Sequence, residues 1–256
     1  MRRVIWLVFI LLFAITLAGC GQAKKERGSE LVTVSAAKGL TKAIEEIQAD
    51  YQKTHPDVQI QLNFGASGSL RQQIEQGAPV DIFISADRKT MDEIEAKGII
   101  DQASRKNMVG DRLVLVTGKD AGIKTLEELD SEKVIKLAIG DPAIVPVGTY
   151  AKEALENLGL WGKVQSKLLL TKDVRQVVTY VATGNTEAGI AYQSVARTEP
   201  GLNIIEIPAN LHTPVVFPGA LTTRGKENKE AASFMDYLLS PEATGIFKKH
   251  GFVPLE

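Results

Sequence analysis

Short β-rich runs alternate with helical stripes along most of this chain, and that alternation limits its fold more than any other feature. Residues 31–35 (LVTVS) read as a strand. Leu40, Ile44, Ile47 and Tyr51 then recur at i, i+4, i+7 and i+11, the apolar stripe of an amphipathic helix that His55-Pro56 closes. Val58, Ile60, Leu62 and Phe64 alternate as a second strand. A helix over about 70–76, a buried strand over 80–84 (VDIFI) and a short helix over 91–96 follow. The order βαβαβα predicts an α/β unit with a largely parallel sheet.

Residues 113–116 (LVLV) open a second unit, with strands expected over 134–139, 167–170, 188–191 and 203–207. Its helices carry Tyr150, Ala154, Leu155 and Leu158, and then Val174, Val177, Val178 and Val181 at i, i+3, i+4 and i+7. Residues 214–217 lead back, and Ala231, Phe234, Met235 and Leu238 line a late helix. The expectation is an α/β protein of two lobes with a cleft between them. Residues 31–112 and 208–256 form lobe 1, and residues 113–207 form lobe 2. A length of 256 residues suits two lobes of this size.

The first residues stand apart. Arg2 and Arg3 precede an apolar run over 4–18, too short to span a bilayer and shaped like a secretory signal. Leu17-Ala18-Gly19-Cys20 resembles the lipobox of bacterial lipoproteins. The resemblance implies a signal peptide over 1–19, a lipid on Cys20, and a polar tether over 20–30 that holds the protein outside the cytoplasm on the cell membrane. An uncleaved anchor with an incidental cysteine is the alternative. Cys20 is the sole cysteine, so an exported chain must stabilise its fold without an internal disulfide. Without residues 1–19 the chain carries 28 basic and 31 acidic residues, a net charge of −3. No basic stripe or positive balance points to a nucleic-acid partner.

The chemistry turns on residues 63–70 (NFGASGSL), where five small residues follow an alternating strand. A nucleophile elbow would need glycine where Ser69 stands, and a histidine base within reach. His55, His212 and His250 lie in no recognisable catalytic setting. No metal-ligand or nucleotide-loop spacing occurs, and Asp81 and Asp87 at the ends of a strand read as capping and loop carboxylates. The competing reading is a strand end running into a helix start. Ser67 or Ser69 then caps the helix, and the unpaired first-turn N–H groups with the positive dipole end favour an anion. This stretch alone does not separate a simple cap from an anion site.

Three more junctions share the pattern: residues 35–39 (SAAKG), 141–148 (DPAIVPVG), and 171–173 (TKD), where Asp173 is the expected N-cap. Helix starts at the carboxyl ends of strands are where open α/β sheets bind ligands, so four of them across two lobes favour an anion held in the cleft.

The stretches FGASGSLRQQIEQGAPVDIFISAD over 64–87 and GDPAIVPVGTYAKEAL over 140–155 resemble the molybdate-binding proteins of ABC importers. The resemblance runs from about Val32 to Phe252. It implies a periplasmic-binding-protein fold closing on a tetrahedral oxyanion, molybdate or tungstate, with no catalysis, no cofactor and no bare metal cation. It implies an ABC permease as membrane partner and a monomeric receptor. In that family neutral donors hold the ligand: two serines, backbone N–H groups and a tyrosine hydroxyl. Carried over by motif, these positions are Ser67, the backbone of Val147 and of Val174, and Tyr192.

The first serine of the family falls on Gly39, which keeps an N–H and brings no hydroxyl. One lost hydrogen bond to a dianion corresponds to about 1.5–3 kcal/mol, roughly ten- to a hundredfold in affinity, unless water or a neighbour such as Lys38 replaces it. A site made only of donors disfavours a protonated oxyanion, whose O–H would meet no acceptor. Sulfate or another small anion on the same fold is the nearest alternative, and an exported esterase using Ser67 the more distant one.

Overall fold

The computed structural model describes residues 30–255. The expected signal peptide, the lipidation at Cys20 and most of the tether lie outside the described residues. Strand β1 (Glu30–Ala37) passes through a single 3-10 turn (Lys38–Leu40) into helix α1 (Thr41–Tyr51), whose stripe of Ala43, Ile44, Ile47 and Tyr51 is buried. In β2 (Val58–Gly65) Val58 and Ile60 point inward while Gln59 and Gln61 face solvent, the period of a half-buried strand. Helix α2 (Ser67–Glu75) starts three residues before the apolar stripe suggested, because Ser67, Gly68 and Ser69 form its first turn. Strand β3 (Ile82–Ile84) leads to α3 (Arg88–Glu95), capped by the Asp87 carboxylate, which accepts the Thr90 N–H.

Next come β4 (Lys106–Gly110), β5 (Leu113–Gly118), β6 (Leu137–Gly140), α4 (Pro146–Asn157), the short α5 (Trp161–Val164) and β7 (Leu168–Thr171). The chain then runs through α6 (Val174–Ala182), β8 (Ala188–Tyr192), the one-turn α7 (Gln193–Ala196) and β9 (Leu202–Glu206). It finishes with β10 (Val216–Leu221), α8 (Lys229–Leu238), α9 (Pro241–Lys249) and β11 (Val253–Pro254).

These strands form two sheets, one of six strands ordered β11-β4-β10-β3-β1-β2 and one of five ordered β7-β6-β8-β5-β9. The first is mixed, which corrects the expectation of a largely parallel sheet. Strands β2, β1 and β3 are parallel, but β10 pairs antiparallel with β3 and β4, and β11 antiparallel with β4. The antiparallel half is assembled from strands on either side of the second sheet in sequence, so no local βαβ pattern announces it. The second sheet is mixed as well, with β6 parallel to β7 and β8, and β5 antiparallel to β8 and β9.

Helices cover both faces of the first sheet. Ile82 and Ile84 pack with Ile44, Ile47 and Phe234, whereas Phe83 between them joins Leu70, Ile74, Met91 and Ile94. Successive residues of a strand point to opposite faces, so the three-residue β3 ties two helical layers together. The chain leaves the first sheet at residues 111–112 and returns over residues 207–215. There the Ile207 N–H donates to Leu113 O at 3.0 Å and the Asp111 N–H to Val215 O at 3.4 Å.

Candidate functional site

The strand-to-helix junctions of both sheets meet across a cleft. Gly39 from the turn before α1 and Ser67 at the start of α2 face Val147 in the first turn of α4, Val174 at the start of α6, and Tyr192 at the end of β8. All five line one small cavity. Val147 and Val174 occupy helix first turns, where backbone N–H groups have no partner within the helix. Pro146 at N1 of α4 fits this geometry, since a residue there has no helical use for an N–H. Asp173 caps α6 as expected, its Oδ1 accepting the Gln176 N–H at 2.9 Å.

Ser67 does not cap its helix. The N-cap is Ala66, and no side chain bonds the helix start there. The fully buried Ser67 hydroxyl instead accepts the Ala86 N–H at 2.9 Å, tying α2 to the end of β3. Because that bond uses an oxygen lone pair, the hydroxyl proton is left to donate. From the opposite lobe, the Tyr192 hydroxyl donates to the Ala86 carbonyl at 3.4 Å. Burial first, then the fields of Tyr150, Asp87 and Asp111, hold the Tyr192 phenol well above its ordinary range, so it stays a donor. A second bond crosses the cleft, from the Gly68 N–H to Ile144 O at 3.0 Å.

Ala86 escaped the sequence reading. It acts through its backbone at both polar atoms, and an alanine carries no side-chain signal; the only pointer was its place within the quoted run over 64–87. The site is largely neutral. Lys38 is the one cation and Asp173 the one carboxylate among the cavity-lining residues. Asp87, one residue beyond Ala86, is buried enough that desolvation raises its carboxyl above the usual range, against the pull of its bonds to Thr90 and Ser85.

Nothing steric requires glycine at position 39. A Cβ there would lie 3.4 Å from Val195 Cγ2, 3.6 Å from Val174 Cγ1 and 3.8 Å from Tyr192 Cδ2, ordinary contacts with the facing lobe. Gly68 is different, since a Cβ would come within 2.7 Å of Ile144 O and 2.9 Å of its Cα. None of the three histidines lines the cavity. His55 stacks on Tyr51, the His212 ring Nδ1 lies 2.8 Å from Thr213 O, and His250 pairs with Glu46. Asp81 accepts the Thr33 N–H at 2.8 Å and pairs with Arg224 at 3.0 Å, a structural use of that carboxylate.

Two α/β lobes with helix starts and hydroxyls facing one another across a cleft define a two-lobed binding protein for a small polar ligand. The model of the bacterial extracellular solute-binding protein family matches residues 32–253, and the chain belongs to that family. It is 40% identical over 245 residues to YvgL of Bacillus subtilis (strain 168), provisionally named an ABC transporter substrate-binding lipoprotein, covering 93% of each chain. It is 37% identical over 255 residues to the molybdate-binding protein ModA of Escherichia coli (strain K12), covering 96% of this chain and 97% of that one. Among solved structures, the periplasmic molybdate-binding protein of Azotobacter vinelandii superposes with a TM-score of 0.80 at 26% identity, over 88% of this chain and 100% of that one.

Proposed function

We propose that this protein is the extracytoplasmic receptor of an ABC importer for molybdate, with tungstate as a second ligand of nearly the same size. The oxyanion sits in the cavity between the lobes. Ser67 donates its hydroxyl proton, Tyr192 gives up its 3.4 Å bond to the Ala86 carbonyl to donate to the oxyanion, and Val147, Val174 and Gly39 donate through their backbone. The observation that carries this reading is the convergence of these five residues, drawn from both sheets, on one cavity. Five donors converging on one cavity suit a fully deprotonated dianion better than a protonated phosphate, whose O–H competes for the few acceptors there. Closure of the lobes on the ligand presents a distinct shape to the permease. The receptor works as a monomer, performs no chemistry, and is held at the membrane by a lipid on Cys20.

Calorimetry of the full-length chain in detergent with molybdate, tungstate, sulfate and phosphate tests the proposal. Saturable binding of molybdate and tungstate, with sulfate and phosphate far weaker, is the expected result. Binding of sulfate or phosphate without molybdate would overturn it.

A further inference from the structure

Lys38 is the one feature of the cavity that its neutral donors do not explain. It lies next to Gly39, a lining position without a side chain. Its ammonium rests 5.9 Å from the centre of the Phe64 ring, near the end of β2 and three residues before Ser67, which opens α2. The lysine therefore bridges two of the junctions that the first sheet contributes to the cavity, those after β1 and after β2. Among the described residues no carboxylate lies within ion-pair distance of it. Asp173, the one carboxylate of the lining, turns an oxygen back onto its own helix.

A cation over an aromatic face is held more weakly than one in a charge-assisted hydrogen bond to an oxyanion. An ammonium on a four-carbon stem also reorients readily. We infer that Lys38 is a specificity-determining residue: its ammonium leaves Phe64 to bond the bound oxyanion on the side where Gly39 brings no hydroxyl, so the site reads net negative charge as well as shape. The inference rests on the oxyanion reading above and adds a property that neutral donors lack. A contribution from a partly exposed cation is screened by salt, whereas hydrogen bonds from buried neutral donors change little with ionic strength.

The test uses the full-length chain in detergent, with calorimetric titrations at low and high sodium chloride of wild type, Lys38→Met, Lys38→Arg and the double variant Lys38→Met/Gly39→Ser. Molybdate, tungstate, sulfate and phosphate are the probes, and thermal unfolding verifies that each variant folds. Lys38→Met should weaken binding of the preferred oxyanion by roughly tenfold or more and flatten its salt dependence. Lys38→Arg should keep the salt dependence, and the double variant should regain affinity without regaining it. Equal affinity within about twofold for wild type and Lys38→Met, or equal salt dependence in the two, overturns the inference. Wild type that prefers sulfate or phosphate overturns the molybdate reading alone, because the Lys38→Met ratio on that anion still judges the lysine. Wild type that binds none of the four overturns both.

Discussion

Ala86 has no functional side chain, yet Ser67 of one lobe and Tyr192 of the other both bond its peptide groups. That single residue places the two hydroxyls around one space. Gly68 acts in a similar way through what it lacks, since the bond from its N–H to Ile144 O leaves no room for a Cβ. Gly68→Ala should therefore hinder lobe closure without disturbing either lobe. Its affinity for the ligand is expected to fall by at least about tenfold, while the unfolding temperature of the ligand-free protein stays within about 2 °C of wild type. Calorimetry and thermal scans on the same preparation decide this, and unchanged affinity would refute it. The residue types at Ser67 and Tyr192 were legible in the motifs; the pivot was not, because a backbone contact leaves no trace in residue identity.

Among the elements, helix starts were the most legible part of the sequence and strand partners the least. Asp173 before an i, i+3, i+4, i+7 valine stripe announced both the cap and the buried face of α6, and the structure has both. Removing the cap should cost stability: Asp173→Ala is expected to lower the unfolding free energy by about 1 kcal/mol, and Asp173→Asn, which keeps an acceptor, by less. Denaturant titration measures the difference, and equal losses for the two variants would show that the cap bond is not the cause. By contrast β4, with the sequence KNMVG, has neither alternation nor a β-branched run, and only its inner end is buried. It is a strand because β10 and β11 pair with it on either side. Helix α9 had signals that went unused, Ser240 as cap and Pro241 at N1.

For the whole molecule, the crossing between lobes holds a buried carboxylate, Asp111. The Asp111 Oδ1 accepts the N–H groups of Arg112 at 2.7 Å and Ser194 at 3.3 Å, joining the crossing segment to α7. Its Oδ2, like the Ser194 hydroxyl, is buried without a partner among the described residues. Burial, outweighing those bonds, pushes the Asp111 carboxyl up from 3.8 to about 7. A raised carboxyl means the folded chain binds a proton that the unfolded chain has released. The stability it adds is therefore full below about pH 4 and is lost as pH rises through about 7. The whole effect is worth at most about 4 kcal/mol. Asp111→Asn keeps the Oδ1 acceptor and cannot ionise. Wild type should thus lose stability relative to this variant as pH is raised from about 4 to above 7. Parallel pH profiles from denaturant titrations of the two would contradict it.

What the sequence determined by itself was the local grammar: which runs are strands, which helix faces are buried, and that small residues and caps recur where strands run into helices. Periodicity over a few residues records those faces directly. The tertiary structure decided which of those junctions meet, that the first sheet is half antiparallel, and that Asp111 is shut away from water at the crossing. The deciding bonds join residues far apart, 19 positions between Ser67 and Ala86, 106 between Ala86 and Tyr192, and 83 between Asp111 and Ser194. No local pattern encodes contacts at such separations, because they exist only once both sheets have packed and the cleft between them has formed.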